Sequence, residues 1–317
     1  MSPPSMTSVT APPKTEKTPT WEGLAYLAVV YVVWGSTYLA IRVAVREGSG
    51  FPPVSMAAMR LTLAGLLMLL WGRVAGRSLR VSWQDLRVLV GSGLLLWGIA
   101  NGLIVWAEQR ADSGLAALMV GAVPIWSAVI DSGLDRRRPP WALVAALLVG
   151  LSGLVVLVAP VLQKGIKADL LTVAALLVAP VSWACGSVLQ GRRSVSVSPI
   201  VSSGYQQVAG GLWLVVGAIL LREPLPHPTT EAWVAWGYLV IVGGLGFTAY
   251  VQALRLLPIS LATTYAYVNP VIAVFLGWLI LGEPITVWTL AGAALVVVGV
   301  AGVLRVRLRR GTRAAVH

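Results

Sequence analysis

The sequence predicts an all-α integral membrane protein of ten transmembrane helices, folded as two five-helix repeats inserted in opposite directions. Three observations carry this expectation. The 317 residues are 57% hydrophobic and 11% charged, where a soluble domain carries about 25% charged residues. Ten apolar windows of roughly 20 residues, each the length of a bilayer crossing, follow one another with short connections. A constant shift of 146 residues superposes landmarks of the first half on the second, as Pro53 on Pro199 and Pro124 on Pro270.

The windows are Gly23–Ile41, Val54–Gly72, Val88–Ala107, Ser113–Ile130, Trp141–Ala159, Leu170–Gln190, Ile200–Leu221, Ala232–Leu254, Ile259–Leu281 and Pro284–Leu304. The first is free of charge but closes on Trp34–Ile41, read WGSTYLAI. Its Trp, Gly, hydroxyls and Tyr suit a helix that lines a cavity better than one that faces acyl chains. The second holds Arg60, the only charge well inside a window. The third and fourth carry Asn101 and Pro124. The sixth contains Pro180 and a weaker echo of the first, WACGSVL at Trp183–Leu189. Tyr205, Gln206 and Gln207 stand together in the seventh. The eighth combines Gly243, Gly244 and Gly246 with Tyr250 and Gln252. The ninth brings Tyr265, Tyr267, Asn269 and Pro270. Residues 1–20 are polar and Pro-rich with no apolar core, which predicts a disordered cytoplasmic tail rather than a signal peptide. The repeats span 21–162 and 168–305, and 306–317 form a basic cytoplasmic tail.

Arg and Lys set the orientation. With the amino end inside, seventeen of the 24 fall in inside segments, six outside and Arg60 within the membrane. This bias places both termini in the cytoplasm of a multi-pass inner-membrane protein. It also accounts for the net charge of +12 without a nucleic-acid partner. Cys185 is the single cysteine, and His227 and His317 lie outside the windows. No disulfide, metal site or other cofactor is expected, and no catalytic constellation within the helices.

The repeat also matches Gly65 with Gly211, Ala107 with Ala253 and Gly153 with Gly299. Trp34 and Trp183 match at a shift of 149. Five helices per half is an odd number, so the halves enter the membrane from opposite sides. Carriers built this way bind their solute near the midplane, between the repeats.

WGSTYLAIR, FPPVSMAAMRLTLAGLLMLL and NGLIVWAEQ, followed by SGLAALMVGAVPIW, resemble the first half of an EamA-type transporter of the drug/metabolite transporter superfamily. YVNPVIAVFLGWLILGEPITVWTLAGAALVVVGV is similar to the end of the second half. LGEP at Leu281–Pro284 has no counterpart in the first half, where Asp135 precedes Arg136, Arg137 and Arg138. The resemblance covers about residues 21 to 305. It implies ten helices, two EamA repeats, and export or exchange of small metabolites such as amino acids.

Trp34, Tyr38, Arg60, Asn101, Trp183, Gln206, Tyr250, Tyr265 and Asn269 are the candidate substrate-binding residues. Arg60 is either a counter-charge for a solute carboxylate or a structural Arg bonded to neighbouring helices; its repeat mate is Gln206. Tyr265 and Asn269, four apart, share a helix face. Pro124, Pro180 and Pro270 kink or hinge their helices. The acids Glu22, Glu108, Asp131 and Glu283 fall near helix ends, so no proton-coupling group is assigned. An ion pair with Arg136 to Arg138 is expected for Asp131. The leading expectation is an exporter of amino acids or similar small metabolites working by alternating access. The alternative is an efflux carrier for multiple drugs or cationic compounds.

Overall fold

The computed structural model describes residues 17–45, 48–108, 113–163, 169–281 and 285–314. The first sixteen residues of the amino-terminal tail and the last three of the basic tail lie outside that set, as does Glu283. Among the described residues all regular structure is helical. Among the described residues seven helices are long and apolar enough to cross a bilayer. Their outer faces are apolar: Val32, Leu66, Leu70, Leu177, Leu220 and Val297 are exposed. The window Val287–Arg309 has a mean hydropathy of 2.3 with 22% of it buried. So much exposed apolar surface is stable only against lipid.

Helices α1 (Trp21–Val45) and α2 (Pro53–Val74) occupy the first two windows. The third departs from a plain α-helix. Here α3 (Trp83–Gly93) passes through a π-helical stretch, Leu94–Asn101, into α4 (Gly102–Glu108). The fourth window is two helices, α5 (Ser113–Val120) and α6 (Val123–Leu134). Pro124 therefore starts a helix where a kink within one was expected. It stands in the first turn of α6, where a missing N–H removes no intrahelical bond. Next come α7 (Trp141–Leu162), α8 (Leu170–Arg192), α9 (Pro199–Leu220) and α10 (Thr230–Leu256). The ninth window is also broken, into α11 (Ile259–Ala262) and α12 (Tyr265–Leu281), and α13 (Val287–Ala314) is the last. At the α11–α12 break, Thr263 donates to the Ile259 carbonyl at 2.9 Å. Thr264 donates to the Leu261 carbonyl at 2.6 Å. Pro180 and Pro270 do lie inside their helices.

Three pairings dominate the packing: α7 with α13, α2 with α9, and α1 with α10. In addition α1 packs on α12, and α8 packs on the π-helical stretch and on α6. Exchanging each window for the one five places along maps this set of pairs onto itself. The closest approaches obey the same exchange. A Cβ on Gly65 would stand 2.7 Å from the Val208 nitrogen, and one on Gly211 2.7 Å from the Thr62 nitrogen. A Cβ on Gly153 would stand 2.7 Å from the Val296 nitrogen, and one on Gly299 2.5 Å from the Gly150 nitrogen. In each pair the shift of 146 carries one contact onto the other.

The two ends of the bundle are tied differently. At the end holding both described chain termini, Lys17 donates to the Leu254 carbonyl at 2.8 Å and the Gly191 carbonyl at 3.1 Å. It thereby satisfies carbonyls at the C-terminal ends of α8 and α10. Arg192 on α8 bridges Asp131 at 2.6 Å and Asp135 at 2.8 Å. This corrects the expected pairing of Asp131 with Arg136 to Arg138. The chain leaves α6 through a left-handed turn at Arg136 (φ 52°), while α8 packs beside α6 and delivers Arg192 to the carboxylate. Hydrogen bonding from Arg192 holds the Asp135 carboxyl below the usual carboxylate range. At the opposite end two loops pair, His227 N–H to Gly50 O and Thr229 N–H to Ser49 O, both at 2.9 Å. There the Glu223 carboxylate accepts from the Val54 and Ser55 N–H groups at 3.0 and 2.6 Å, and from the Ser55 hydroxyl. An anion at the N-terminus of α2 matches the helix dipole.

Candidate functional site

A cavity of about 150 Å³ opens between α1, α2, the π-helical stretch, α8, α9 and α12. Its wall on α1 is Trp34, Thr37 and Ile41, from the helix half away from the termini. On α2 the wall is Met56, Ala57, Arg60 and Leu61, from the half nearest its N-terminus. The cavity thus lies toward the end opposite the described termini.

Arg60 is the one charged residue among the described lining residues. It is 7% exposed, and its guanidinium lies over the Trp97 ring at 5.9 Å from the centroid. No acidic side chain of the described residues pairs with it. Its Nε has no hydrogen-bond partner, nor do Trp97 Nε1, Asn101 Oδ1, Gln207 Nε2 and Asn269 Oδ1. All five residues line the cavity. Buried polar groups left this way cost free energy unless water or a solute satisfies them.

Aromatic rings close the inner side. Trp34 is the hub, with ring centroids 4.7 Å from Tyr265, 5.1 Å from Tyr250, 5.8 Å from Trp183 and 6.4 Å from Trp97. The two echoing stretches, WGSTYLAI and WACGSVL, therefore meet through Trp34 and Trp183 in an edge-to-face contact. Below the rings the core is buried, with Ser187, Tyr250, Thr264 and Gln206 all inaccessible. Ser187 and Tyr250 hydroxyls bond at 2.6 Å, Tyr31 and Thr264 hydroxyls at 2.7 Å, and Gln206 donates to Gln190.

Of the nine candidate residues, Trp34, Arg60, Asn101, Trp183, Tyr265 and Asn269 line this cavity. Tyr250 stands behind the ring floor, fully buried. Gln206 faces Gln190 and Ser202. The Tyr38 side chain lies outside the described residues. Three lining residues with polar side chains escaped the sequence reading as candidates, Thr37, Trp97 and Gln207. The available signal for Trp97 was its place four residues before Asn101. In the structure both belong to the π-helical stretch, a distortion common at functional sites. For Gln207 the choice lay among three consecutive polar residues. The helix aims them in three directions: Tyr205 at the Leu79 carbonyl, Gln206 at Gln190 and Gln207 at the cavity.

The EamA-like transporter family matches residues 21–159 and again 170–305. The chain belongs to this family. The family module thus occurs twice along the chain, and the protein is a membrane transporter. It is 33% identical to the "Uncharacterized inner membrane transporter YedA" of Escherichia coli (strain K12), over 82% of this chain and 83% of that protein. It is 27% identical to the "Probable terminal-alkyne amino-acid exporter" of Streptantibioticus cattleyicolor, over 89% of this chain and 92% of that one. A solved crystal structure 22% identical in sequence superposes with a TM-score of 0.75, covering 90% of this chain and 98% of the other. That likeness establishes a shared fold.

Proposed function

We propose that this EamA-like transporter is a secondary carrier that exports amino acids or similar small metabolites by alternating access. One observation carries the reading: a guanidinium with no acidic partner among the described residues and a set of unsatisfied donors and acceptors converge on one cavity in an otherwise apolar bundle. Charge placed there without purpose would cost several kcal/mol. The solute contacts Trp34, Arg60, Trp97, Asn101, Trp183, Gln207, Tyr265 and Asn269.

In this reading the chain crosses the membrane ten times, with both termini cytoplasmic and halves at 21–162 and 168–305 related by an inverted repeat. The self-exchanging helix pairs and the two exchanged glycine contacts support it. So does the placement of Lys17 and Arg307 on the same basin at one end. The cavity then faces outward, and the buried core below Trp34 is the barrier that must open toward the cytoplasm. The amino-acid exporter among the relatives supports the solute class. Arg60 has the wrong sign for the alternative, a carrier of cationic compounds.

Proteoliposomes loaded with labelled amino acids and small organic acids test this. Reconstituted protein should release at least one solute faster than protein-free vesicles do. Arg60→Ala should abolish that release while inserting normally. Equal release from protein-free vesicles across the panel would remove the reading.

A further inference from the structure

We propose that the cavity selects solutes of net charge minus one, such as a simple carboxylate or an acidic amino acid, over zwitterions and cations. The inference rests on the carrier reading and narrows its solute class by charge.

The argument starts from what closure does. Alternating access requires a state in which the cavity is cut off from water on both sides. In that state the Arg60 guanidinium, already buried against Trp97, loses its remaining hydration. A lone ion in such a medium is strongly destabilised even after relaxation. A monoanion brings the closed complex to zero charge. A zwitterion leaves it at plus one, because its own carboxylate and ammonium cancel and the guanidinium charge stays uncompensated. Among the described lining residues that ammonium meets the Asn101 and Asn269 amide oxygens and ring faces, and no Asp or Glu. A cation raises the charge further. Closure therefore favours the anion, and the energy difference is that of one buried unpaired charge.

A second observation has the same sign. At the terminus-bearing end lies a basin of about 730 Å³. Lys17, Arg138, Arg193, Arg255 and Arg307 line it, and its two acids, Asp131 and Asp135, are both held by Arg192. Helix α8 joins the two spaces: Trp183 lines the cavity and Gln190 to Arg193 line the basin. At 1.5 Å per residue they are about 10 Å apart along the helix. Such a positive mouth raises the local concentration of anions and repels cations. One solute charge satisfies both the mouth and the cavity.

The test uses purified full-length protein in detergent and matched pairs of nearly equal shape: glutamate against glutamine, and 4-methylpentanoate against leucine, with lysine as the cation. The readout is the melting temperature as a function of solute concentration. In at least one pair the anion should stabilise with at least tenfold higher affinity than its zwitterionic partner, and lysine should not stabilise. Arg60→Gln should erase the preference. Arg60→Lys, which keeps a point charge but loses the planar fork, should retain the order of preference at lower affinity. It keeps the test open if Arg60→Gln does not fold. The proposal is overturned if neither anion stabilises with at least tenfold higher affinity than its zwitterionic partner, a result that includes the absence of a shift with both anions. Rapid proteoliposome release of neutral amino acids alongside such a result would leave the carrier reading standing and refute the charge selection alone.

Discussion

The glycine contacts between α7 and α13 give a sharp stability prediction. A Cβ at Gly299 would lie 2.5 Å from the Gly150 nitrogen and 2.6 Å from its Cα, whereas ordinary contact begins at 3.4 Å. Gly299→Ala must therefore push the two helices apart locally by roughly 0.9 Å. The obstacle is backbone, so no side-chain rotation relieves it. Overpacking of this kind costs about 1–3 kcal/mol. Replacing a helical glycine by alanine returns about 0.5–1 kcal/mol through the unfolded chain. The net expectation is a loss of about 1 kcal/mol, and at most about 2.5 kcal/mol, from the same two principles. Gly153→Ala, the exchanged contact, should lose a similar amount, because its Cβ would meet the Val296 nitrogen at 2.7 Å. Gly133, inside α6 with nothing within 4 Å of a Cβ, is the control, and Gly133→Ala should stabilise. Melting of the three variants in detergent, followed by near-ultraviolet circular dichroism, reads the sign of each change. If Gly299→Ala and Gly133→Ala move the transition in the same direction, the close helix approach inferred here is wrong.

Other perturbations follow from the two ends and the ring floor. The depressed Asp135 carboxyl contributes stability that is present above the ordinary aspartate value of 3.8 and is lost as pH falls through the lower folded value. Asp135→Asn should flatten the acid limb of a melting-temperature profile below about pH 4, and an unchanged limb would show that the bridge to Arg192 is not what titrates. Glu223→Gln removes a full charge from the N-terminus of α2 and weakens its bonds to Val54 and Ser55. It should cost about 1 kcal/mol, and an undiminished melting temperature in low salt would refute the capping role. Tyr250→Phe deletes the bond to Ser187 and keeps the ring. It should cost about 0.5–1.5 kcal/mol and lower solute affinity by less than tenfold, since Tyr250 does not line the cavity but its hydroxyl bonds Tyr265, which does. A tenfold fall in affinity would place that hydroxyl in the site.

The legible residues and the missed ones differ in physical kind. Arg60 stands out in sequence because a charge in an apolar window has few tolerable places, all facing the interior. Trp34 and Trp183 stand out because each sits among small and hydroxyl residues that lipid does not require. Tyr265 and Asn269 were legible as a pair because helical spacing fixes their common face. Trp97 has no such mark, since a single Trp in an apolar window reads equally as a membrane anchor. Gln206 was chosen as the repeat mate of Arg60. Yet adjacent helix positions differ by about 100°, and packing of α9 turns Gln207 to the cavity. Pro124 shows the same limit: its sequence predicts an interrupted helix, but a kink and a restart share that signature.

The sequence alone determined that the chain is a helical membrane protein of duplicated plan with one interior charge. Those properties follow from composition, window length and repeat spacing, which are additive along the chain. Tertiary structure alone decided that Arg192 and not Arg136 to Arg138 holds Asp131, that three windows are interrupted, and that Trp97 and Gln207 join Arg60 around one cavity. Each depends on the rotation of one helix against another. A turn of one residue there exchanges buried for exposed without changing any local pattern.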